Sequence, residues 1–328
     1  MRGTLRPAAA RVKTFENVVP RHTLAPMTKP QRIAIACAFG AISCSPASAQ
    51  TPSLATELKG KFERHLEAIA AGVDGVMGYA IVDLTSGDRI GHLDREVFPT
   101  ASTIKLAIIY ELFKQVDEGK VRLDQQLALD RANAVGGSGV LFQLGTPTLS
   151  IRDYATLMVI VSDNTATNVL IDVLGLDRIA ARMLALGLNG TKLRRHMVDL
   201  AAARRGDENV STPAEIVRLL EIIWKGEGLT PGARDQAVAL LKKPKVSRLR
   251  AGLPPGVDAA DKPGELEGVR VDAGVVFANN RPYILCAMTT YLKNEADGER
   301  ANEELSRAAY DYFSRLGSGL QYGRQIGR

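Results

Sequence analysis

Apolar positions recur at helical spacing through "SLATELKGKFERHLEAIAAG" (53–72) and stop at Gly72, which predicts an amphipathic first helix. From 76 to 93 the pattern shortens into two apolar runs around Ser86-Gly87-Asp88, a hairpin signal. The period then changes again. From Ser102 to about Lys243 nearly every segment has helical spacing, with Thr148, Ser150 and Thr212 as candidate caps and Pro213 suited to a first helical turn. A short connection at 242–256 follows, rich in basic residues and proline. Strand character returns only in "GVRVDAGVVFA" (268–278) and "PYILCAMTTYL" (282–292), joined by a tight Asn-Asn-Arg-Pro turn, and 298–316 is helical once more.

Strands from both chain ends that bracket a helical block predict one antiparallel sheet flanked by helices. The expected fold is a three-layer α/β/α sandwich carrying an all-helical lobe. The sandwich takes 53–100 and 258–318, the helical lobe 101–257, within a body spanning 50–328. A cleft between the lobes is the expected ligand site.

Composition adds little to the body and much to the leader. The chain of 328 residues is 45% hydrophobic, enough for a substantial core, and carries a formal charge of +6. Residues 1–49 hold seven of its 42 Arg and Lys but only one of its 36 acids, which leaves 35 of each in the rest. A neutral body gives no reason to expect a nucleic-acid partner. Within the leader, "MTKPQR" (27–32), the short apolar "IAIACAFGAIS" (33–43) and "ASA" (47–49) resemble a secretory signal that starts at Met27 and is cleaved after Ala49. Its apolar run is too short to span a bilayer, so a periplasmic or secreted monomer with no stable membrane span is expected. Cys37 and Cys44 leave with such a signal, and the remaining Cys286 reads as a buried small hydrophobe. The four histidines, His22, His65, His92 and His196, are scattered, so neither a metal site nor a local histidine triad is expected, and no cofactor is implied.

The candidate chemistry begins at "PTASTIKLAII" (99–109). On a helix, Ser102 and Lys105 share a face, and an amine of lowered pKa can activate a serine hydroxyl. About one chance Ser-x-x-Lys is expected in a chain this size, and a serine here can equally be a helix cap. Ser162-Asp163-Asn164 is far less expected by chance, although Asp163 or Asn164 can also cap the next helix. Lys262-Pro263-Gly264 can be an ordinary turn, or can bring Lys262 to a substrate carboxylate and a backbone N–H, that of Glu265, to an oxyanion site with the N–H of Ser102.

In order along the chain, the three elements resemble the Ser-x-x-Lys, Ser-Asp-Asn and Lys-Thr-Gly set of the class A serine β-lactamase family. The likeness runs from about residue 54 to the last helix and includes "LMVIVSDNTATNVLID". It implies a β-lactamase/transpeptidase-like fold with the site between the lobes. Ser102 would be acylated by a β-lactam carbonyl, Lys105 would assist proton removal, and Ser162 would return a proton to the departing nitrogen. Asn164, Lys262, Gly264 and Glu265 would bind substrate.

Two departures stand out. Pro263 replaces the hydroxyl residue of the third motif, so carboxylate recognition falls to Lys262, Ser162 or Arg270. The family's deacylating glutamate, in an Arg-x-Glu setting, is also missing from "LRRHMVDLAAARRGDENVSTP" (193–213). Asp199 lies nearest the expected spacing, as a base or as an ion-pair partner that staples the loop; His196 is a second candidate, and Glu208 lies close to the next helix. The expected activity is therefore opening of β-lactam amides through acyl-Ser102 with slow turnover. The alternatives are an esterase or D-alanyl peptidase on the same fold, or a β-lactam- or peptidoglycan-binding sensor that acylates and stops.

Overall fold

The computed structural model describes residues 53–320 and 322–324; the leader and its cleavage site lie outside them. The first helix, α1 (Leu54–Ala71), is capped by the Ser53 side chain and ends at Gly72. β1 (Val76–Asp83) and β2 (Arg89–His92) form the expected hairpin, and β3 (Phe98–Pro99) leads into a 3₁₀ turn over Ala101–Ile104. The helical block follows. It comprises α2 (Lys105–Asp117), α3 (Ile151–Ile160), α4 (Asn164–Leu174), α5 (Leu176–Ala185), α6 (Leu200–Arg204), α7 (Pro213–Lys225) and α8 (Pro231–Lys242).

That block is less uniformly helical than its spacing suggested. Residues 118–150 hold 3₁₀ turns and an antiparallel pair, β4 (Gln126–Ala128) with β5 (Thr148–Ser150), and β6 (Val210–Ser211) pairs with β3. Thr148 therefore sits in a strand. Ser150 caps α3 in a capping box with Asp153, and Thr212 caps α7 with Pro213 in its first turn. The 242–256 connection holds a short helix, α9 (Arg248–Ala251), that packs against the C-terminal helix on the sandwich side.

The larger correction concerns Lys262-Pro263-Gly264. It lies within a full strand, β7 (Ala259–Leu266), followed by β8 (Val269–Val276), β9 (Tyr283–Thr290) and α10 (Glu295–Ser318). The antiparallel sheet runs β2-β1-β9-β8-β7, so strands from the two chain ends meet where β1 pairs with β9. β7 is an edge strand, a place where a proline without an N–H is tolerated.

Two apolar clusters hold the layers together. Phe62, Leu66 and Ile69 of α1 and Leu305, Ala309 and Phe313 of α10 pack on one face of the sheet with Tyr79, Tyr283 and Leu285. The opposite face, with Val82, Val271, Ala273 and Cys286, continues without a break into α2, α3, α4 and α7. The helical lobe is thus welded to the sheet rather than hinged from it. Cys286 is fully buried, and burial pushes its thiol well above the usual range.

Candidate active site

The cleft lies where edge strand β7 passes the 3₁₀ turn before α2. That approach depends on Gly264: a Cβ there would stand 2.8 Å from Thr100 O and 2.9 Å from Ser102 N. From the other side the turn is tied to the 193–213 loop, since Thr100 N and Oγ1 both donate to Asn209 O, at 3.0 and 2.9 Å. Backbone strain concentrates here. Ala101, Ser162 and Val198, three of the six non-glycine residues with positive φ among the described residues, all line the cleft.

Ser162 is the centre of the arrangement. Its Oγ lies 2.8 Å from Ser102 Oγ, 3.0 Å from Lys105 Nζ and 3.2 Å from Lys262 Nζ. Lys105 also donates to Ser162 O at 2.7 Å and to Asn164 Oδ1 at 3.2 Å. A direct hydrogen bond from Lys105 to Ser102 is absent among the described residues, so the expected pair is joined through Ser162. Asp163, not Asn164, caps α4, and its second oxygen accepts from Val140 N and Leu141 N. Asn164 is thereby freed to face the cleft, where its Nδ2 donates to Gly136 O.

Both lysines are fully buried, and two ammonium groups against one hydroxyl repel each other. Burial and the charge of Lys262 hold Lys105 well below the usual lysine range, with Asp163 opposing. Burial also lowers Lys262, but Asp272 and Asp261 hold it at about 8. The arrangement therefore favours loss of a proton from Lys105 before Lys262, with the charge kept on Lys262. Lys105 donates to Ser162 Oγ, and the Ser162 hydroxyl donates to Ser102 Oγ; on losing a proton Lys105 gains a lone pair able to take one from this chain.

Ser102 and Glu265 border two cavities. One, of about 320 Å³, is lined by Ser138, Ser162, Lys262, Pro263 and Gly264. The other, of about 300 Å³, is lined by Asn164, Arg195, Met197, Leu200 and Glu208. Two residues proposed from sequence stand elsewhere. Asp199 borders neither cavity and makes no ion pair among the described residues; it caps α6, its Oδ1 accepting from Ala202 N at 2.9 Å. Arg270 borders neither cavity, because Glu295 and Glu299 of α10 take its guanidinium. His196 is likewise turned away, onto Asp172.

Sequence reasoning missed what does face the second cavity. Arg195-His196-Met197 has the arginine of an Arg-x-Glu pattern and a buried thioether where its carboxylate would be. Glu208, set aside as too near the next helix, is the loop's carboxylate on this cavity. It already accepts from Arg195 at 2.7 Å and from Asn209 N at 2.8 Å. The signal was present in Arg195 itself, the anchor from which the position of Met197 can be counted.

Comparison with known proteins agrees in extent with this architecture. The family described as "Beta-lactamase enzyme family" matches residues 61–313. Beta-lactamase AST-1 of Nocardia asteroides is 31% identical over 247 residues, covering 74% of this chain and 79% of its own. Beta-lactamase Toho-1 of Escherichia coli is 28% identical over 253 residues, 75% of this chain and 86% of its own. Among solved structures, PBP-A superposes with a TM-score of 0.72 at 29% identity, covering 78% of this chain and 97% of PBP-A.

Proposed function

The chain belongs to the beta-lactamase enzyme family, and on that premise we propose that it is a class A-type serine hydrolase that opens β-lactam amides through an acyl-Ser102 intermediate. The observation that carries this reading is the meeting of Ser102 Oγ, Lys105 Nζ and Lys262 Nζ on one hydroxyl, Ser162 Oγ. The Ser102 proton passes to Ser162 Oγ as the Ser162 proton passes to the Lys105 amine. Ser102 Oγ then bonds to the lactam carbonyl carbon. As the C–N bond breaks, the proton returns from Lys105 through Ser162 to the ring nitrogen. The N-terminal end of the turn supplies Ser102 N, and β7 supplies Glu265 N, to the oxyanion. Lys262 attracts the substrate carboxylate, and Asn164 holds the acylamide side chain.

Deacylation is slow in this reading. On the second cavity, which Ser102 borders, Met197 offers no base and Glu208 is held by Arg195. Losing general-base assistance forfeits about 10²–10⁴-fold in rate. The same observation supports a second reading, a β-lactam or peptidoglycan sensor whose acyl-enzyme persists. The leader supports secretion into the periplasm, and among the described residues no helix is long and apolar enough to cross a membrane.

A chromogenic cephalosporin assayed beside a short-chain ester tests the reading. A burst stoichiometric with enzyme, followed by slow steady turnover of the cephalosporin, is the expected result. Ester turnover with no cephalosporin burst would favour an esterase and overturn the assignment.

A further inference from the structure

β-Lactams of the penicillin type carry a carboxylate beside the scissile amide, yet this cleft leaves its recognition to Lys262 alone. Pro263 borders the first cavity with neither hydroxyl nor N–H. The Arg270 guanidinium is spent on Glu295, Glu299, Leu266 O and Val269 O. Lys262 divides its ammonium between Ser162 Oγ and Pro263 O. Against this, Glu265 is exposed, borders both cavities together with Ser102, and follows directly on the Gly264 contact with Ser102 N. Its carboxylate makes no hydrogen bond or ion pair among the described residues. Even its cross-strand partner, Arg270, is turned to α10.

Resting on the β-lactam reading of the same site, we propose that Glu265 is a specificity-determining residue whose unpaired carboxylate biases the cleft against acyl donors bearing a carboxylate beside the reacting amide, and towards neutral or cationic ones. A charge at the rim acts mainly on productive encounter, is screened by salt and is modest in size.

The test is the ratio of Ser102 acylation rate constants for benzylpenicillin and its methyl ester, measured by intact mass on the wild-type protein and on Glu265→Gln. Taking a ratio cancels changes transmitted through the β7 backbone to both substrates. The ratio should rise about two- to fivefold in Glu265→Gln. In the wild type it should also rise with ionic strength, a dependence the variant should lose in part. Acylation by both compounds with an unchanged ratio and unchanged salt dependence would overturn the role of Glu265 alone. No adduct from either compound would overturn the β-lactam reading and this inference with it.

Discussion

Two buried lysines on one serine hydroxyl repel when both are charged, and the acids near Lys262 favour its keeping the proton. The rate consequence follows in sign. A lysine works as a base above its folded pKa and as a cation below it. Acylation should rise as pH climbs through the lowered pKa of Lys105, and affinity for an anionic β-lactam should fall as pH passes about 8 and Lys262 loses its charge. Rapid-quench acylation across pH, resolved into a binding constant and a chemical step, checks both limbs. A binding constant flat through pH 8 would deny Lys262 its part in carboxylate recognition. Lys105→Ala should cut the chemical step by about 10²–10⁴-fold, with little change in binding.

At the scale of elements, the 193–213 loop is where sequence and structure part most. Asp199 caps α6, so Asp199→Ala should cost about 1 kcal/mol of stability and leave hydrolysis of the acyl-enzyme within about twofold of wild type. Met197→Glu should instead speed that hydrolysis by tenfold or more, because it puts a carboxylate two residues after Arg195, where the Arg-x-Glu base would stand, on the cavity that Ser102 borders. If the two variants behaved the other way round, the assignment of this loop would fail. Elements with local signals were legible: the end of α1 at Gly72, the hairpin at Ser86-Gly87, and Thr212-Pro213 opening α7. β7 was not, since Pro and Gly punctuate turns and only the edge position explains them in a strand. Nor could spacing show that Arg270 would be captured by α10, or that Ser162 would stand between Ser102 and Lys105; both depend on contacts between residues far apart in sequence.

For the whole molecule, the sheet ties the two chain ends together and helix α7 locks the helical lobe onto it. Glu221 of α7 reaches Arg89 of β2 while also pairing with Lys225. Burial pushes its carboxyl up, but hydrogen bonds from Lys225 and Arg89 outweigh this and bring it down to about 2. A carboxyl depressed on folding adds stability above its unfolded pKa of about 4.5, and that contribution is lost as pH falls towards 2. Glu221→Gln should therefore be less stable than wild type at pH 7, by about 1–3 kcal/mol, and melt lower, with the gap closing towards pH 2. Thermal melts at a series of pH values read this directly. A gap constant with pH would assign the loss to packing rather than charge.

Ser102 becomes a nucleophile through Ser162 and Lys105. Intact-mass spectrometry after brief exposure to benzylpenicillin, run on the wild-type protein and on Ser102→Ala, tests it most directly. The wild-type chain should gain the mass of one whole penicillin, located at Ser102 and decaying slowly, and the variant should gain none. An unmodified wild-type chain that leaves penicillin intact, or an equal adduct on Ser102→Ala, would contradict it.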